Sequence, residues 1–179
     1  MEVNEIIARL DLPALKIIHY PDPRLQTPSV ELPRIDAAVR ALVDRMFELL
    51  FAAKGVGLAA AQVGLNVRLF VASPSFQEDD RRVYINPKLI SLEGSQEGEE
   101  GCLSVPGIST RIKRYNFATI RAQNLDGAVF EESGQELLAR IFQHETDHID
   151  GRLLVDRMGS VAKLANRRAL KDLEEQFAR

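Results

Sequence analysis

Between Gln143 and Gly151 the chain reads QHETDHIDG, which holds two of its three histidines, four residues apart, with a glutamate directly after the first. In a helix each residue turns by about 100°, so His144 and His148 lie nearly above one another and can present two ring nitrogens to one ion. Glu145 then stands about 100° round from His144, beside such an ion, where a base for an activated water belongs. The H-E-x-x-H pattern therefore points to metal-assisted hydrolysis. The competing explanation is a pair of ordinary core histidines. It would suit a single buried histidine better than two at i, i+4 with a glutamate between them.

Two imidazoles do not complete a metal site. One class of helical zinc protease extends the motif to H-E-x-x-H-x-x-G-x-x-H; here Gly151 stands at the glycine position but Leu154 occupies the last histidine position. His19 lies in a proline-rich stretch with no spacing that relates it to the motif. Glu174 and Glu175 near the C-terminus are candidate carboxylate ligands. Cys102, the one cysteine, in EEGCLSVPG, carries more weight. It has no internal disulfide partner, its thiolate would be a strong ligand for zinc or ferrous iron, and Gly101 before it lets the backbone approach another element. A small buried hydrophobe is the alternative use of a lone thiol. The stretch LSV after Cys102 reads as strand.

The elements that must position these groups are partly legible. At 179 residues the chain fits one domain, and 45% hydrophobic with 27% charged residues is an ordinary globular balance. A formal net charge of −3 gives no strong general attraction to nucleic acid, and no direct DNA binding is expected. Apolar runs are too short to span a bilayer, and MEVNEIIARLDLP lacks a signal layout, so a cytoplasmic protein of bacterial type is expected. Residues 1–16 read as an N-terminal extension with a short helix, and prolines 21, 23 and 28 disfavour helix in HYPDPRLQTPS. A helix is predicted over 36–54, N-capped by Asp36 and closed by Gly55. Strands are predicted at 67–72, 82–85, 89–92, 117–123 and 128–131, the last two joined by a hairpin at Asn124–Gly127. The motif helix is predicted over 134–150 from a Ser133/Glu136 capping box to Gly151. Leu137, Ile141, His144 and His148 should form its inward stripe. A final helix should occupy 160–177. Helix and strand are segregated unevenly, which gives α+β: short mixed or antiparallel sheets around a central metal-binding helix, with helices at the N- and C-termini.

Three segments resemble the signature motifs of one family. GVGLAAAQ (55–62), EGCLS (100–104) and HETDH (144–148) are similar, in order and spacing, to those of peptide deformylase, with PDPRL (21–25) and Asn86-Pro87 as weaker landmarks. The resemblance spans about residues 17–155. The first segment also fits a loose G-x-G-x-x-A dinucleotide fingerprint, but that loop needs a preceding strand, and here a helix precedes it.

The resemblance implies that Cys102, His144 and His148 ligate one divalent ion, ferrous iron natively, with zinc, nickel or cobalt able to take its place. It implies hydrolysis of the N-formyl group of formylmethionine on new polypeptides, releasing formate, through metal-bound hydroxide with Glu145 as general base and acid. The Gln62 side-chain amide and the Leu103 N–H would hold the oxyanion. Val56 and Gly57 would bond the substrate backbone as an added strand. Asp147, usual at its position in the family, would pair with Arg114 and fix the helix against the sheet. Lys54, Ala61 and Ser109 depart from common family residues, Ser109 where some relatives place a basic residue near the substrate chain.

On the final helix Ala162, Ala169, Leu170, Leu173 and Phe177 share an apolar face, and Lys163, Arg167 and Lys171 form a basic stripe. Ordinary packing with solvated charges is the favoured reading; docking on the ribosome, as a C-terminal helix does in some relatives, is the functional one. Two further functions compete: a zinc endopeptidase with a carboxylate third ligand, and a non-catalytic metal or thiol redox module.

Overall fold

A computed structural model describes residues 2–178. Helix α1 (Val3–Ala8) leads through the proline-rich stretch, with a 3-10 turn at Pro23–Gln26, to α2 (Ala37–Ala52). Strands β1 (Gly57–Ala59), β2 (Leu69–Ala72), β3 (Arg82–Glu93), β4 (Gln96–Gly101), β5 (Ser109–Arg114), β6 (Phe117–Gln123) and β7 (Val129–Gln135) follow. The chain closes with α3 (Glu136–Ile149), α4 (Leu154–Arg157), α5 (Ser160–Ala165) and α6 (Arg167–Phe177). Five strands form an antiparallel sheet in the order β1-β2-β3-β6-β7, and β4 and β5 form a separate ribbon. The class is α+β.

Side-chain alternation explains how the sheet lies between two helices. In β2, Leu69 and Val71 join Val39, Leu42, Met46 and Leu50 of α2 in one core, while Phe70 and Ala72 join Ala139, Phe142 and Ile149 of α3 in another. All four β2 residues are therefore buried, which is why this strand reads as a continuous apolar run. A third core, with Leu25, Val105, Ile112, Leu153 and Leu173, packs the ribbon against the C-terminal helices. The N-terminal segment is tied down by the buried Asn4, whose Nδ2 donates to Asp36 Oδ2 (2.7 Å) at the cap of α2.

Several boundaries differ from the sequence reading. Asp36 does cap α2, accepting from the Val39 N–H at 3.1 Å, but the left-handed residue after the helix is Lys54 (φ 54°) and not Gly55. The strand predicted from 67 begins at Leu69, and the two predicted at 82–85 and 89–92 are one strand, bent where its register shifts between Ile85 and Lys88. Leu103 and Ser104 lie in a turn, closed by Val105 N–H donating to Cys102 O at 2.9 Å, and not in a strand. The Ser133/Glu136 capping box does not form. The β6–β7 ladder runs on to Phe117↔Gln135, and Ser133 Oγ bonds Thr119 Oγ1 (2.8 Å) instead. Cross-strand pairing there outweighs one cap, and α3 starts two residues later than predicted. Leu137 is exposed and not part of an inward stripe. The final helix is two, broken at Asn166, whose Nδ2 donates to Ala162 O (2.9 Å). Phe177 is also exposed.

Candidate metal centre and its cleft

Helix α3 supplies two donor atoms and the turn after β4 supplies the third. His144 Nε2 and His148 Nε2 are 3.2 Å apart, Cys102 Sγ is 3.3 Å from His148 Nε2, and the three donor atoms lie within 4.8 Å of one another. A tetrahedral ion with ordinary Zn–N and Zn–S bond lengths would separate two nitrogens by about 3.3 Å, and sulfur from nitrogen by about 3.5 Å. The donor set thus fits a borderline divalent ion in both spacing and chemistry. Among the described residues no other group of histidine, cysteine and carboxylate is so arranged. Glu174, considered above as a ligand, instead accepts from the Tyr20 hydroxyl at 2.7 Å.

An outer bond decides the tautomer of His144, while His148 Nδ1 has no partner among the described residues. Glu100 Oε1 lies 2.7 Å from His144 Nδ1, so Nδ1 carries the proton and Nε2 offers its lone pair to the centre. Glu100 also accepts from Arg114 (Nη2 2.6 Å, Nε 3.2 Å) and from Arg140 Nη1 (2.6 Å). Burial alone would raise its pKa, but the bonds from His144 and Arg114 outweigh it and hold the carboxyl well below its usual range. Arg114 continues the chain by donating from Nη1 to Asp147 Oδ2 at 2.6 Å, and Arg157 Nε donates to the same oxygen at 3.0 Å. Asp147, Arg114, Glu100 and His144 are thus one connected buried network.

Glu145 is 3% exposed, and its Oε2 has no hydrogen-bond partner among the described residues. Burial first, with the nearby charge of Glu100 opposing His144, pushes its pKa up to about 7. The neighbouring backbone is shaped around it: a Cβ at Gly57 would stand 2.3 Å from Glu145 Oε1, so position 57 admits only glycine if Glu145 keeps its place. Gln62 sits in a 3-10 turn, Ala60–Val63, after β1. Its Oε1 accepts from the Ala59 N–H (2.9 Å), which turns its Nε2 towards Ser104 Oγ (3.2 Å) and Cys102 Sγ (3.6 Å). The Leu103 N–H makes no hydrogen bond to any described residue. Val56 and Gly57 line a cavity of about 490 Å³ together with Gln62, Cys102, His144 and Glu145. That cavity opens at the start of β1, the edge strand of the five-stranded sheet.

The polypeptide deformylase family model matches residues 14–164. The chain belongs to that family. Its members are enzymes that remove the N-formyl group from nascent peptides, and they depend on a metal ion. The chain is 50% identical over 149 residues to a peptide deformylase of Acidobacterium capsulatum, covering 82% of this chain and 88% of the relative. It is 43% identical over 162 residues to that of Chromobacterium violaceum, covering 90% and 97%. Among solved structures, a plant peptide deformylase superposes with a TM-score of 0.88 at 38% identity, covering 92% and 91% of the two chains. The Plasmodium falciparum enzyme gives 0.88 at 33% identity, covering 91% and 97%.

The structure brings together every site residue named from sequence: Cys102, His144, His148, Glu145, Gln62, Leu103, Val56 and Gly57 around the cleft, with Asp147 and Arg114 behind it. Sequence reasoning missed Glu100, Arg140 and Arg157. Reading QEGEEG as a strand would have set Gln96, Gly98 and Glu100 on one face, but that segment has no apolar alternation to announce it. Arg157 lies on a four-residue helix with no motif of its own.

Proposed function

We propose that this chain hydrolyses the formyl amide of N-formylmethionyl peptides in the cleft between β1 and α3, releasing formate. The observation that carries the proposal is the convergence of Cys102, His144 and His148 beside a buried, unpartnered Glu145 carboxylate oxygen.

Cys102, His144 and His148 would hold a divalent ion, which when bound supplies Lewis acidity that acidifies water and polarises the formyl carbonyl. Glu145 takes a proton from the attacking water as its oxygen bonds to the formyl carbon. As the C–N bond breaks, Glu145 returns that proton to the departing amine, leaving formate and a free N-terminus. Such acid–base work is worth about 10²–10⁴-fold. The Gln62 Nε2 amide and the free Leu103 N–H are the donors for the oxyanion between those steps. Val56 and Gly57, at the start of β1, align the peptide backbone, and Asp147 with Arg114 holds the network that orients His144.

A thiolate with two imidazoles suits ferrous iron as well as zinc, and we assign iron as the native ion, with nickel or cobalt as substitutes. Chain and site form one catalytic domain, with residues 1–16 and 160–179 as its terminal additions. No helix among the described residues is long and apolar enough to cross a membrane. We assign the protein to the cytoplasm, where formylated chains emerge; for the exposed Lys163, Arg167 and Lys171, solvated charge is the favoured reading and ribosome docking the alternative. Cosedimentation of the full chain and of a chain ending at Gly159 tests that surface; equal binding would discard it.

The function itself is tested by formate release from a formyl-methionyl tripeptide. Absence of formate, with internal cleavage of longer peptides, would make the chain an endopeptidase instead.

A further inference from the structure

The cleft holds a cation that the proposed reaction does not use. Arg140 precedes His144 by one turn on α3 and lines the cavity with Leu137 and Ile141. Its guanidinium is anchored: Nη1 donates to Glu100 Oε2 (2.6 Å) and Ile112 O (3.3 Å), and Nη2 donates to Gln96 Oε1 (3.2 Å). With its side chain 11% exposed and tied to both strands of the ribbon, it is not free to swing into solvent. Gly98 leaves the space it fills, since a Cβ there would stand 3.3 Å from Arg140 Nη2. A guanidinium has five N–H groups. The Nε–H and one Nη2–H of Arg140 have no partner among the described residues, and Arg140 is one of the residues that line the cavity.

The substrate side chain nearest to this group follows from connectivity. With the formyl carbon beside Glu145 and Gln62, the first side chain of the peptide leaves the backbone two bonds beyond that carbon. It therefore lies in the same cleft, where the face of α3 running back from His144 offers Ile141, Arg140 and Leu137. A thioether gains apolar contact with Ile141 and Leu137 but offers little to free guanidinium donors, because thioether sulfur is a weak acceptor. A first side chain of the same length ending in a strong neutral acceptor would satisfy them. A carboxylate would not serve as well, since Glu99, Glu100 and Glu145 border the same cavity.

We propose that Arg140 is a specificity-determining residue that widens the substrate range to N-formylmethionine sulfoxide peptides, its free N–H groups donating to the sulfoxide oxygen. The inference rests on the deformylation proposed above. It makes the enzyme able to process chains whose first methionine has been oxidised.

The test compares kcat/KM for tripeptides beginning with formylmethionine, formylnorleucine and formylmethionine sulfoxide, in the wild type, Arg140→Leu, Arg140→Lys and Gly98→Ala. Ratios between substrates within one variant cancel any change in metal content. In the wild type the sulfoxide peptide is expected to be turned over within about tenfold of the methionine peptide. In Arg140→Leu the sulfoxide-to-methionine ratio should fall about tenfold or more, the usual scale for losing a hydrogen bond to a charged group. The norleucine-to-methionine ratio should stay constant. Arg140→Lys should recover part of the loss, and Gly98→Ala, which crowds Nη2 without removing it, should shift the ratio in the same direction if Arg140→Leu does not fold. An unchanged sulfoxide ratio in the folded variants, or a wild type that rejects the sulfoxide peptide, would overturn the role of Arg140. Failure to deformylate the methionine peptide would instead remove the reading on which it rests.

Discussion

Replacing Gly57 by alanine should separate catalysis from folding. The added Cβ would stand 2.3 Å from Glu145 Oε1, 2.8 Å from its Cδ and 3.0 Å from its Cγ. The first two are closer than real Cβ contacts allow and the third is tight, so one partner must move. Gly57 is held in register against Ala72 by the β1–β2 ladder and is followed by the fully buried Leu58 and Ala59. The backbone is therefore the stiffer partner, and the Glu145 carboxylate is the one expected to leave its place. Overpacking of this kind costs about 1–3 kcal/mol. For a chain of this size that is a drop in Tm of roughly 2–12 °C. Loss of a positioned base costs about 10²–10⁴-fold in kcat. Formate release by the folded variant, a thermal melt and metal analysis together give the answer. The expected result is a folded protein that retains metal and has lost at least about a hundredfold in turnover. Gly159→Ala, where a Cβ meets nothing within 4 Å, should leave turnover unchanged. Near-normal rates in Gly57→Ala would refute the placing of Glu145 as the base.

Three other outcomes follow from the same geometry. Glu100→Gln removes the anion that fixes the His144 tautomer and should weaken metal binding by about 10–100-fold, read by competition with a chelator; unchanged affinity would make Glu100 a merely structural partner of Arg114 and Arg140. Cys102→Ala should lose stoichiometric metal on purification, and retention of a full equivalent would remove Cys102 from the ligand set. In the metal-free protein the Glu145 carboxyl, raised from its ordinary 4.5 to about 7, holds its proton in the folded state across that window. Its contribution to stability is therefore full below pH 4.5 and lost as pH rises through about 7. The stability of the metal-free wild type relative to Glu145→Gln should fall by up to roughly 3 kcal/mol over that range in denaturant titrations; a flat difference would show that burial does not perturb this group.

What could be read from the sequence divides along physical lines. The paired histidines, Glu145 and the helices carrying the apolar face of α2 and the motif of α3 were legible because a 3.6-residue period is a local property. The β6–β7 hairpin was legible because Asn124–Gly127 announces its turn: Gly127 has φ 80°, and Asn124 Oδ1 accepts from the N–H groups of Asp126 (2.9 Å) and Ala128 (3.0 Å). The ribbon β4–β5 was not, because QEGEEG has neither alternation nor β propensity and is held by pairing with β5 and by Arg140 reaching across from α3. Glu100 was hidden for the same reason. The false capping box shows a local preference losing to a non-local one, since Ser133 serves the β6–β7 ladder and no helix end. The break at Asn166 comes from a side chain bonding back to the preceding turn, a choice that hydrophobic periodicity does not register.

The most direct test of the central claim is Glu145→Gln, purified without air and measured for both metal content and formate release from a formyl-methionyl tripeptide. The expected variant carries one equivalent of divalent metal on Cys102, His144 and His148 and has lost about 10²–10⁴-fold in turnover. A variant that keeps its metal and deformylates at near the wild-type rate would contradict the account.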